Sequence, residues 1–474
     1  MDREGCYKAL RSRDSRFDGV LYVGVATTGI YCRPVCPART PKPENCAFYP
    51  SAAAAERAGF RPCLRCRPEL APGNARVDSV GRLAAAAASS IEDGALTGSS
   101  VAAMAAGLGV TDRHLRRAVE REFGVSPVAL AQTHRLLTAK RLLTDTRLPV
   151  TEVAFASGFS SLRRFNALFR ERYRMNPTDL RRRSEPDPRP QTLVCEIAYR
   201  PPMDWESLLH FLSRRATACV EVVEEGRYLR TVAIGSARGW VAVGPSNRAN
   251  TLRVEMSESL APKMVPVIAG VKRVCDVSAN PARIAAHLGE IAGTNPGLRV
   301  PGAFDGFELA VRAILGQQVS VQAATTLAGR LARAFGEPVD TPRQSLTHLM
   351  PDASVVAGLD SSMIAATGVV TARAQSILAL ARAVSEGAVC LSPRADVDKT
   401  IIALKQLPGI GEWTAQYIAM RALGWPDAFP HTDLGILKAL GTRNPRESLE
   451  RAEQWRPWRA YAAMHLWKSL EETK

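Results

Sequence analysis

The sequence predicts a multidomain, mostly α-helical protein with α+β parts. Three observations predict this fold class. The 474 residues are too many for one hydrophobic core, and apolar residues recur at helical spacing over most of the chain. Short β-branched segments separated by turn residues occupy the stretch from 192 to 256. We expect, in chain order, a small zinc domain, a tandem helix-turn-helix domain, an α+β subdomain and a large helical domain.

Clusters of proline and glycine place the domain boundaries. The run PELAPGNAR at 68–76 separates a cysteine-rich segment from an alanine-rich helical stretch. The run SEPDPRPQT has the composition of an exposed linker. The predicted segments are 1–75 for the zinc domain, 80–183 for the helix-turn-helix domain, 184–192 for the linker, 193–270 for the α+β subdomain and 271–474 for the helical domain.

The charge of the chain predicts a polyanionic partner. The formal net charge is +16, and each phosphate that a basic protein neutralises releases condensed counterions. Charge alone does not separate nucleic acid from an anionic membrane, but the motifs below favour nucleic acid. The start MDREGCYKALRSRD lacks the apolar core of a signal peptide, and no run approaches the roughly 18 apolar residues of a membrane span. We expect a soluble, monomeric, cytoplasmic protein without membrane contact.

Four cysteines have metal-ligand spacing. Cys32 and Cys36 form a CxxxC pair, and Cys63 and Cys66 form a CxxC pair. This spacing closes a tetrahedral site, and four soft thiolates select zinc, less often iron. The sequence therefore predicts one Zn²⁺. From spacing alone, a zinc knuckle that only holds a small domain together is the more common interpretation.

Two helix-turn-helix patterns follow in tandem, VAAMAAGLGVTDRHLRRAVEREFGVSP and VTEVAFASGFSSLRRFNALFRERYRMNP. In each, a short apolar helix ends at a glycine turn, and Thr111 or Ser161 is placed to cap a second, amphipathic helix. An arginine-rich face is often merely solvated, but its duplication favours DNA in the major groove. We expect the inward residues to be Leu115, Val119, Phe123, Leu162, Phe165, Leu168 and Phe169, and the outward ones Arg113, Arg116, Arg117, Arg163, Arg164, Asn166 and Arg170.

The run EVAFASGFSSLRRFNALFRERYRMNPTDLR resembles the signature of AraC-type transcription regulators. The resemblance spans nearly all of the helical unit and implies a domain that reads DNA with two helix-turn-helix motifs. It implies Arg116, Arg163 and Arg164 as DNA contacts. Promoter DNA and RNA polymerase are the partners expected of such a regulator.

The segments FDGVLYVGVATTGIYCRPVCPAR, ENCAFYPSAAAAERAGF and RPCLRCRPEL resemble the N-terminal domain of the Ada family of alkylation-response proteins. The resemblance implies that Cys32 irreversibly accepts a methyl group from a DNA methylphosphotriester, and that Thr28 faces DNA. Arg39 and Arg61, close to the metal cysteines, are candidates to hold phosphate, although arginines so placed more often only interact with solvent.

The expected chemistry agrees with the physics of a zinc thiolate. Zinc holds a bound cysteine as thiolate, and four thiolates on one Zn²⁺ carry a formal charge of minus two, which makes sulfur nucleophilic toward a methyl carbon. Methylation removes one negative charge and so weakens repulsion of DNA phosphates. The sequence thus predicts a chemical switch, with a purely structural zinc site as the alternative.

The stretch LKQLPGIGEWTAQYIAMRALGWPDAFPHTDLGILKAL carries the main signal of the C-terminal half. The turn at Gly409 and Gly411 joins two helices tightly and exposes backbone N–H groups at a helix start, where they can bind a DNA phosphate. An isolated GIG is weak evidence. An aspartate at 433, before LGILKAL, is most often a helix N-cap.

In its wider context this stretch resembles the helix-hairpin-helix base-excision glycosylases, in particular the AlkA type, over about 193–474. FELAVRAILGQQVSVQAA and RPWRAYAAMHLW carry the same resemblance. It implies excision of alkylated bases of the 3-methyladenine type from damaged double-stranded DNA, with Asp433 as the catalytic acid. The implied pocket for the flipped base is lined by Trp413, Tyr417 and Trp467, and the position of the wedge that fills the vacated gap is Gln318, a departure from the family's apolar residue.

Three features that relatives carry are absent from this sequence, and their absence narrows the chemistry that we expect. Trp413 stands where bifunctional relatives carry a Schiff-base lysine, so we expect a monofunctional glycosylase that uses water. The C-terminal half lacks a cysteine cluster for an iron–sulfur centre, and the chain lacks a PCHR-like acceptor for O6-alkylguanine. The alternative is a transcription factor whose C-terminal half binds DNA without catalysis.

Overall fold

The structure is a computed structural model that describes residues 2–72, 82–92, 94–96, 99–182, 192–293 and 295–472. The predicted linker lies outside the described residues except for Thr192. The chain divides into two compact units, which are described separately below. The first comprises Met1–Pro201, Pro245–Ala269 and Val277–Asn280, and the second Pro202–Gly244, Gly270–Asp276 and Pro281–Lys474.

The cysteine-rich segment folds around a small sheet. Its elements are α1 (Arg3–Arg11), β1 (Tyr22–Val25), β2 (Ile30–Cys32), β3 (Cys46–Tyr49), α2 (Ala52–Arg57) and β4 (Arg61–Pro62). The strand order is β3-β1-β2-β4, with β1 antiparallel to both neighbours and β2 parallel to β4. Because parallel strands end at the same edge, Cys32 at the end of β2 and Cys63 just after β4 are brought together.

Seven α-helices follow among the described residues of the first unit. They are α3 (Arg82–Glu92), α4 (Val101–Gly107), α5 (Asp112–Phe123), α6 (Pro127–Asp145), α7 (Val150–Ala156), α8 (Leu162–Tyr173) and α9 (Pro177–Arg182). The predicted caps are confirmed: the Thr111 side chain accepts from the His114 N–H, and the Ser161 side chain accepts from the Arg164 N–H. The long helix α6 lies in sequence between the two motifs.

The predicted inward positions of α5 and α8 are confirmed for most of the residues named. Five of them are buried, Leu115, Val119, Phe123, Phe165 and Phe169, whereas Leu162 and Leu168 are half-buried. The two phenylalanine rings of α8 lie 5.6 Å apart. Burial of this stripe leaves the arginines of α5 and α8 on the opposite face, because helical periodicity separates the two sets.

The five predicted strands of the α+β region are all present. They are β5 (Thr192–Ala198), β6 (Glu221–Glu224), β7 (Arg227–Ile234), β8 (Ala237–Pro245) and β9 (Thr251–Ser257). In the first unit β5 pairs antiparallel with β9. In the second unit β6, β7 and β8 form an antiparallel meander, as turn residues between short β-branched runs predict.

The remaining α-helices belong to the second unit, although α11 begins in the first. With α10 placed between β5 and β6, they are α10 (Trp205–Arg214), α11 (Met264–Val274), α12 (Pro281–Leu288), α13 (Gly306–Leu315), α14 (Val321–Phe335), α15 (Ala353–Ala357), α16 (Ser361–Ala366), α17 (Thr371–Ser385), α18 (Val397–Lys405), α19 (Glu412–Arg421), α20 (Leu434–Ala439), α21 (Pro445–Ala452) and α22 (Arg459–Glu472).

The core of this helical part surrounds α13. Leu309, Val311 and Ile314 point in different directions around that helix and are all buried, as expected for a helix that is apolar on every side. The multidomain, mostly α fold with α+β parts is thereby confirmed. None of the helices in the described ranges has the length and apolar character that crossing a membrane would require.

Candidate functional sites

The four predicted metal cysteines lie together at one edge of the small sheet. Their Sγ atoms are all within 4.8 Å of one another. A tetrahedral Zn–S distance of about 2.3 Å places sulfurs about 3.8 Å apart, so the cluster fits zinc with only small side-chain adjustment. Backbone N–H groups of Arg33 and Cys66 point at Sγ of Cys66 and Cys63, at 3.4 and 3.5 Å, and such donors stabilise thiolate charge.

Cys32 differs from the other three cysteines in its access to solvent. Cys36, Cys63 and Cys66 are 6–7 % exposed, whereas Cys32 is half-buried at the end of β2. A small electrophile can therefore reach one sulfur of the cluster more easily than the rest.

The predicted phosphate-binding side chains lie around this edge in different environments. Thr28 is exposed in the turn between β1 and β2, with its hydroxyl donating to the Val25 carbonyl at 3.3 Å. Arg39 is exposed beyond Cys36, and Arg61 is half-buried on β4, opposite Ile30 of β2.

Sequence reasoning missed a buried guanidinium beside the metal cluster. Arg33 is 6 % exposed, forms an ion pair with the buried Asp18, and donates to the Cys66 carbonyl at 3.1 Å. Burial opposes its charge, but the neighbouring carboxylate raises its pKa. The sequence feature that could have identified Arg33 is its position directly after Cys32. A fixed positive charge here partly offsets the negative charge of a four-thiolate site.

The arginines of α5 and α8, the second helices of the two helix-turn-helix motifs and below called the recognition helices, are not equivalent. Arg113, Arg117, Arg163 and Arg164 are exposed. Arg116 forms an ion pair with Asp112 one turn earlier on α5, at 2.9 Å. The pair is exposed and so weak.

The helix-hairpin-helix motif joins α18 to α19. Gly409 has φ of 75°, and a Cβ built there would lie 2.2 Å from Oγ of Ser376. Gly411 is the N-cap of α19, has φ of −90° and has open space around it. The first glycine is therefore required by both conformation and space, while the second leaves the N-terminal N–H groups of α19 accessible.

Asp433 is held by three N–H donors. Trp413 Nε1 donates to Oδ2 at 2.8 Å, and Trp467 Nε1 donates to Oδ1 at 2.9 Å. The backbone N–H of Ile436 also donates to Oδ1, at 3.0 Å, so Asp433 caps α20 as its position predicts. Two of the predicted pocket aromatics thus contact the predicted catalytic carboxylate itself, which sequence reasoning did not anticipate.

The three predicted aromatics line one cleft of about 1450 Å³ with Asp433. The rings of Trp413 and Tyr417 stack with centroids 5.2 Å apart at 11°, and Trp467 is tilted against Tyr417 at 6.3 Å. Gln318 lies at the mouth of the cleft, exposed and with φ of 53°. The neighbouring Gln317 links the mouth to the hairpin by donating to the Gly409 carbonyl at 2.8 Å.

Cationic groups at the inner end of the cleft were not predicted. Nη1 of Arg421 donates to the Tyr417 hydroxyl at 2.8 Å, and Arg215 also lines the cleft. Burial alone would raise the pKa of Tyr417, but the charges of Arg421 and Arg215 outweigh it and lower that pKa. The sequence signal for these two residues was weak, because Arg215 directly follows α10 and Arg421 is the last residue of α19, and basic residues are common at helix C-termini.

Four family models match separate parts of the chain. The metal binding domain of Ada matches residues 5–69, and a helix-turn-helix domain matches 104–183. The AlkA N-terminal domain matches 194–305, and the HhH-GPD superfamily of base excision DNA repair proteins matches 311–456.

A relative that aligns along nearly the whole chain is the probable bifunctional transcriptional activator/DNA repair enzyme AlkA of Mycobacterium tuberculosis. It is 40 % identical over 489 aligned positions, which cover 99 % of this chain and 97 % of the relative. The chain belongs to this bifunctional AlkA family. Membership confirms zinc as the cofactor of the four-cysteine cluster and DNA as the partner of this AlkA-family chain.

Two further comparisons cover the C-terminal half of this AlkA-family chain. DNA-3-methyladenine glycosylase 2 of Escherichia coli is 36 % identical over 57 % of the chain and 95 % of the relative. The solved 3-methyladenine DNA-glycosylase of Archaeoglobus fulgidus has a TM-score of 0.52 at 19 % identity, over 59 % of this chain and 98 % of that one. The second comparison shows that the two proteins share a fold.

Proposed function

We propose that the C-terminal half excises alkylated bases of the 3-methyladenine class from double-stranded DNA, as a monofunctional glycosylase. The observation that carries this proposal is the carboxylate of Asp433, fixed between Trp413 and Trp467 at a cleft of about 1450 Å³. A base must leave the stack to enter such a cleft. The hairpin at Gly409 and Gly411 supplies N–H groups for a phosphate of the same strand.

Asp433 acts on the sugar of the flipped nucleotide. The C1′–N bond breaks, the base leaves with the bonding electrons, and positive charge develops on the sugar. The carboxylate stabilises this charge, because it is fixed in place before the reaction. Water oxygen then bonds to C1′, and the proton that water loses passes to solvent. Trp413 occupies the position of a Schiff-base lysine, so no lyase step follows.

The aromatic cleft favours alkylated bases by charge. Alkylation at a ring nitrogen makes the base cationic, and a cation gains from an electron-rich aromatic face. Trp413, Tyr417 and Trp467 present such faces beside Asp433. The same positive charge weakens the glycosidic bond, because the base then leaves as a neutral molecule.

The second activity that we propose is stoichiometric methyl transfer to Cys32. Its Sγ attacks the methyl carbon of a DNA methylphosphotriester, a carbon–sulfur bond forms, and the carbon–oxygen bond breaks. The phosphate keeps the electron pair and becomes an ordinary diester. The observation that supports Cys32 is that it is the least buried thiol of the cluster, and zinc bound at the four cysteines would hold it as a thiolate.

Methylated Cys32 would then favour promoter binding by the helix-turn-helix domain. We assign the DNA contacts to Arg116, Arg163 and Arg164, with Thr28, Arg39 and Arg61 near the methylated phosphate. Contact with RNA polymerase, a monomeric state, a cytoplasmic location and the domain limits 1–75, 80–183, 193–270 and 271–474 belong to the same proposal.

The test of catalysis is base release from methylated DNA by wild type and by Asp433→Asn. Asparagine still caps a helix, so α20 is preserved while the negative charge is lost. We expect at least a hundredfold slower release. Asp352→Asn is the matched control, since Asp352 also caps a short helix through its side chain, on α15. Equal release by wild type and Asp433→Asn would show that Asp433 is not the catalytic group, and absence of release by wild type would show that the C-terminal half binds DNA without this chemistry.

The test of methyl transfer is mass spectrometry after incubation with methylphosphotriester DNA. We expect one added methyl group on the peptide that contains Cys32. Cys46→Ser is the control, because Cys46 is buried in the same domain outside the cluster, and it should still be methylated at Cys32. A zinc-loaded protein that gains no methyl mass would have a purely structural zinc site.

A further inference from the structure

The mouth of the base cleft carries an exposed apolar side chain that the proposed catalysis does not use. Leu434 follows Asp433 directly and is the first residue of α20. It is 82 % exposed, the highest value among the large apolar side chains in the described ranges. One exposed leucine needs no explanation by itself, but a group of exposed apolar side chains beside a binding cleft marks a contact surface.

Two more exposed apolar side chains line the same cleft. Val319 and Val321 are 37 % and 36 % exposed, at the start of α14. Gln318 precedes them and is polar. We call Val319, Val321 and Leu434 the apolar rim. The rim therefore offers the apolar surface that position 318 does not.

The proposed reaction dictates what the rim meets. Asp433 must lie beside C1′ of the flipped nucleotide, and consecutive Cα atoms are about 3.8 Å apart. Leu434 is exposed and lines the same cleft as Asp433, so its side chain lies within reach of the duplex from which the base has left. Flipping leaves apolar base faces exposed to water, and an apolar side chain placed there offsets the unstacking cost.

We propose that Leu434, flanked by Val319 and Val321, contacts the base stack at the position vacated by the flipped nucleotide. The occupant of the rim is double-stranded DNA with a gap in its stack. Gln318 is left to hydrogen-bond at the edge of that gap. This inference rests on the proposed glycosylase function only for the place of the target nucleotide.

The experiment uses the full chain and a duplex with one tetrahydrofuran abasic analogue, because such DNA presents the gap without any base to release. Binding is compared with that of an intact duplex of the same sequence. We expect wild type to bind the abasic duplex more tightly than the intact one. In Leu434→Ser the ratio of the two affinities should fall about tenfold, and in Leu434→Met it should stay as in wild type. Val355→Ser is the matched control, since Val355 is 44 % exposed on α15 outside the cleft.

Base release from methylated DNA separates this inference from the proposed function. If Leu434→Ser binds the abasic duplex as wild type does, the rim has no such contact, whether or not wild type releases bases. If wild type releases no base yet prefers the abasic duplex through Leu434, the rim inference stands and the glycosylase proposal fails. Folding is a small concern, because the substituted side chain is mostly in solvent.

A second, independent inference concerns helix α6, which two buried side-chain bridges join to the metal site. In the first bridge the Tyr31 hydroxyl donates to Glu56 at 3.1 Å, and the Thr133 hydroxyl of α6 donates to the other oxygen of Glu56 at 2.7 Å. Tyr31 immediately precedes Cys32, and Glu56 is 2 % exposed. We call this the tyrosine bridge.

The second bridge starts at Cys66. Arg67 follows that cysteine with φ of 55° and contacts Asp145 of α6 at 2.6 Å. Glu69 accepts from Lys140 of α6 at 2.6 Å, and these two side chains are only 2 % and 1 % exposed. We call this the arginine bridge. Buried ion pairs fix geometry strongly, because a partner left alone has a large desolvation cost.

We infer that metal binding at the four cysteines orders α6 through these two bridges. Because α6 lies in sequence between the recognition helices α5 and α8, its order then fixes the positions of both. Zinc holds Cys32 and Cys66, and each bridge begins one residue from one of them. The bridges meet α6 at Thr133 and again at Lys140 and Asp145, on both sides of its centre.

Amide hydrogen exchange of the full chain, zinc-loaded and chelated, tests this inference. In wild type we expect chelation to speed exchange of 127–145 at least tenfold. In Thr133→Val and Lys140→Met the change should be at least threefold smaller, because α6 is already partly released. Lys399→Met, at an exposed site on α18, should behave as wild type. Unchanged exchange of α6 on chelation, or a full-sized change in both bridge variants, would overturn the inference.

Discussion

Each carboxylate oxygen of Asp433 accepts a hydrogen bond from an indole N–H, of Trp413 or Trp467. The two indoles therefore orient the carboxylate as well as line the cleft. Three N–H groups surround the carboxylate, and such donors fix its orientation. The carboxylate is thus suited to stabilise charge on the sugar rather than to move during the reaction.

At the residue scale, Trp413→Phe separates the two functions of this side chain. Phenylalanine keeps an aromatic face on Tyr417 but removes the N–H bond to Oδ2 of Asp433. A hydrogen bond to a charged group contributes about 1.5–3 kcal/mol. We therefore expect single-turnover base release to slow by roughly 10- to 100-fold, with a smaller change in KM.

The matched control for that variant is Trp205→Phe. Trp205 lies on α10 outside the cleft, and its Nε1 also donates a hydrogen bond, in this case to the Gly226 carbonyl at 3.0 Å. Base release by Trp205→Phe should stay within about twofold of wild type. A pH profile of release that is the same in Trp413→Phe and wild type, at equal rates, would contradict the positioning function.

At the element scale, the two hairpin glycines should respond differently to alanine. At Gly409 alanine adds a Cβ 2.2 Å from Ser376 Oγ at φ of 75°, so we expect a loss of about 2 kcal/mol in the free energy of unfolding. At Gly411 the Cβ meets open space at φ of −90°. Denaturant unfolding should show little change there, and equal losses would show that the hairpin is not constrained at Gly409.

The tyrosine bridge predicts a pH dependence for the first unit. Burial raises the pKa of Glu56 from 4.5 to about 7. The folded state therefore holds a proton that the unfolded chain releases near pH 4.5, and this stabilisation is lost as the pH rises through about 7. The shift corresponds to up to about 3 kcal/mol.

Glu56→Gln removes that ionisation while keeping polar atoms toward Tyr31 and Thr133. We expect its urea midpoint to be flat between about pH 5 and pH 8 and higher than that of wild type above pH 7. The backbone carbonyl of Glu56 still accepts from Arg172, at 3.1 Å. A wild-type midpoint that does not fall over this range would show that Glu56 is already ionised in the folded protein.

At the scale of the whole molecule, the net charge of +16 supports two DNA-binding parts. We expect Arg163→Ala with Arg164→Ala to reduce the slope of log affinity against log salt by about two on promoter DNA, since each phosphate contact contributes about 0.9. Base release from short methylated duplexes should stay within about twofold. An equal fall in both readouts would show that reading and repair depend on the same arginines.

Patterns that the chain repeats locally were predictable in detail. The two caps at Thr111 and Ser161, the five strands from β5 to β9, and the cluster at Cys32, Cys36, Cys63 and Cys66 all follow from spacing and turn residues, and all are present. Local sequence determines the caps, the strands and each cysteine pair, because these depend on neighbours a few residues apart, whereas the two cysteine pairs meet through the parallel pairing of β2 with β4.

Contacts between distant segments were not predictable. The indole bonds join Asp433 to Trp413 and Trp467, and the bridges join Cys66 and Tyr31 to α6. The sequence by itself determined the domain set, the zinc ligands and the candidate carboxylate, because each has a local pattern. Only the tertiary structure decided what touches them, because side-chain contacts depend on how helices and strands pack, and that packing leaves no periodic signal in one sequence.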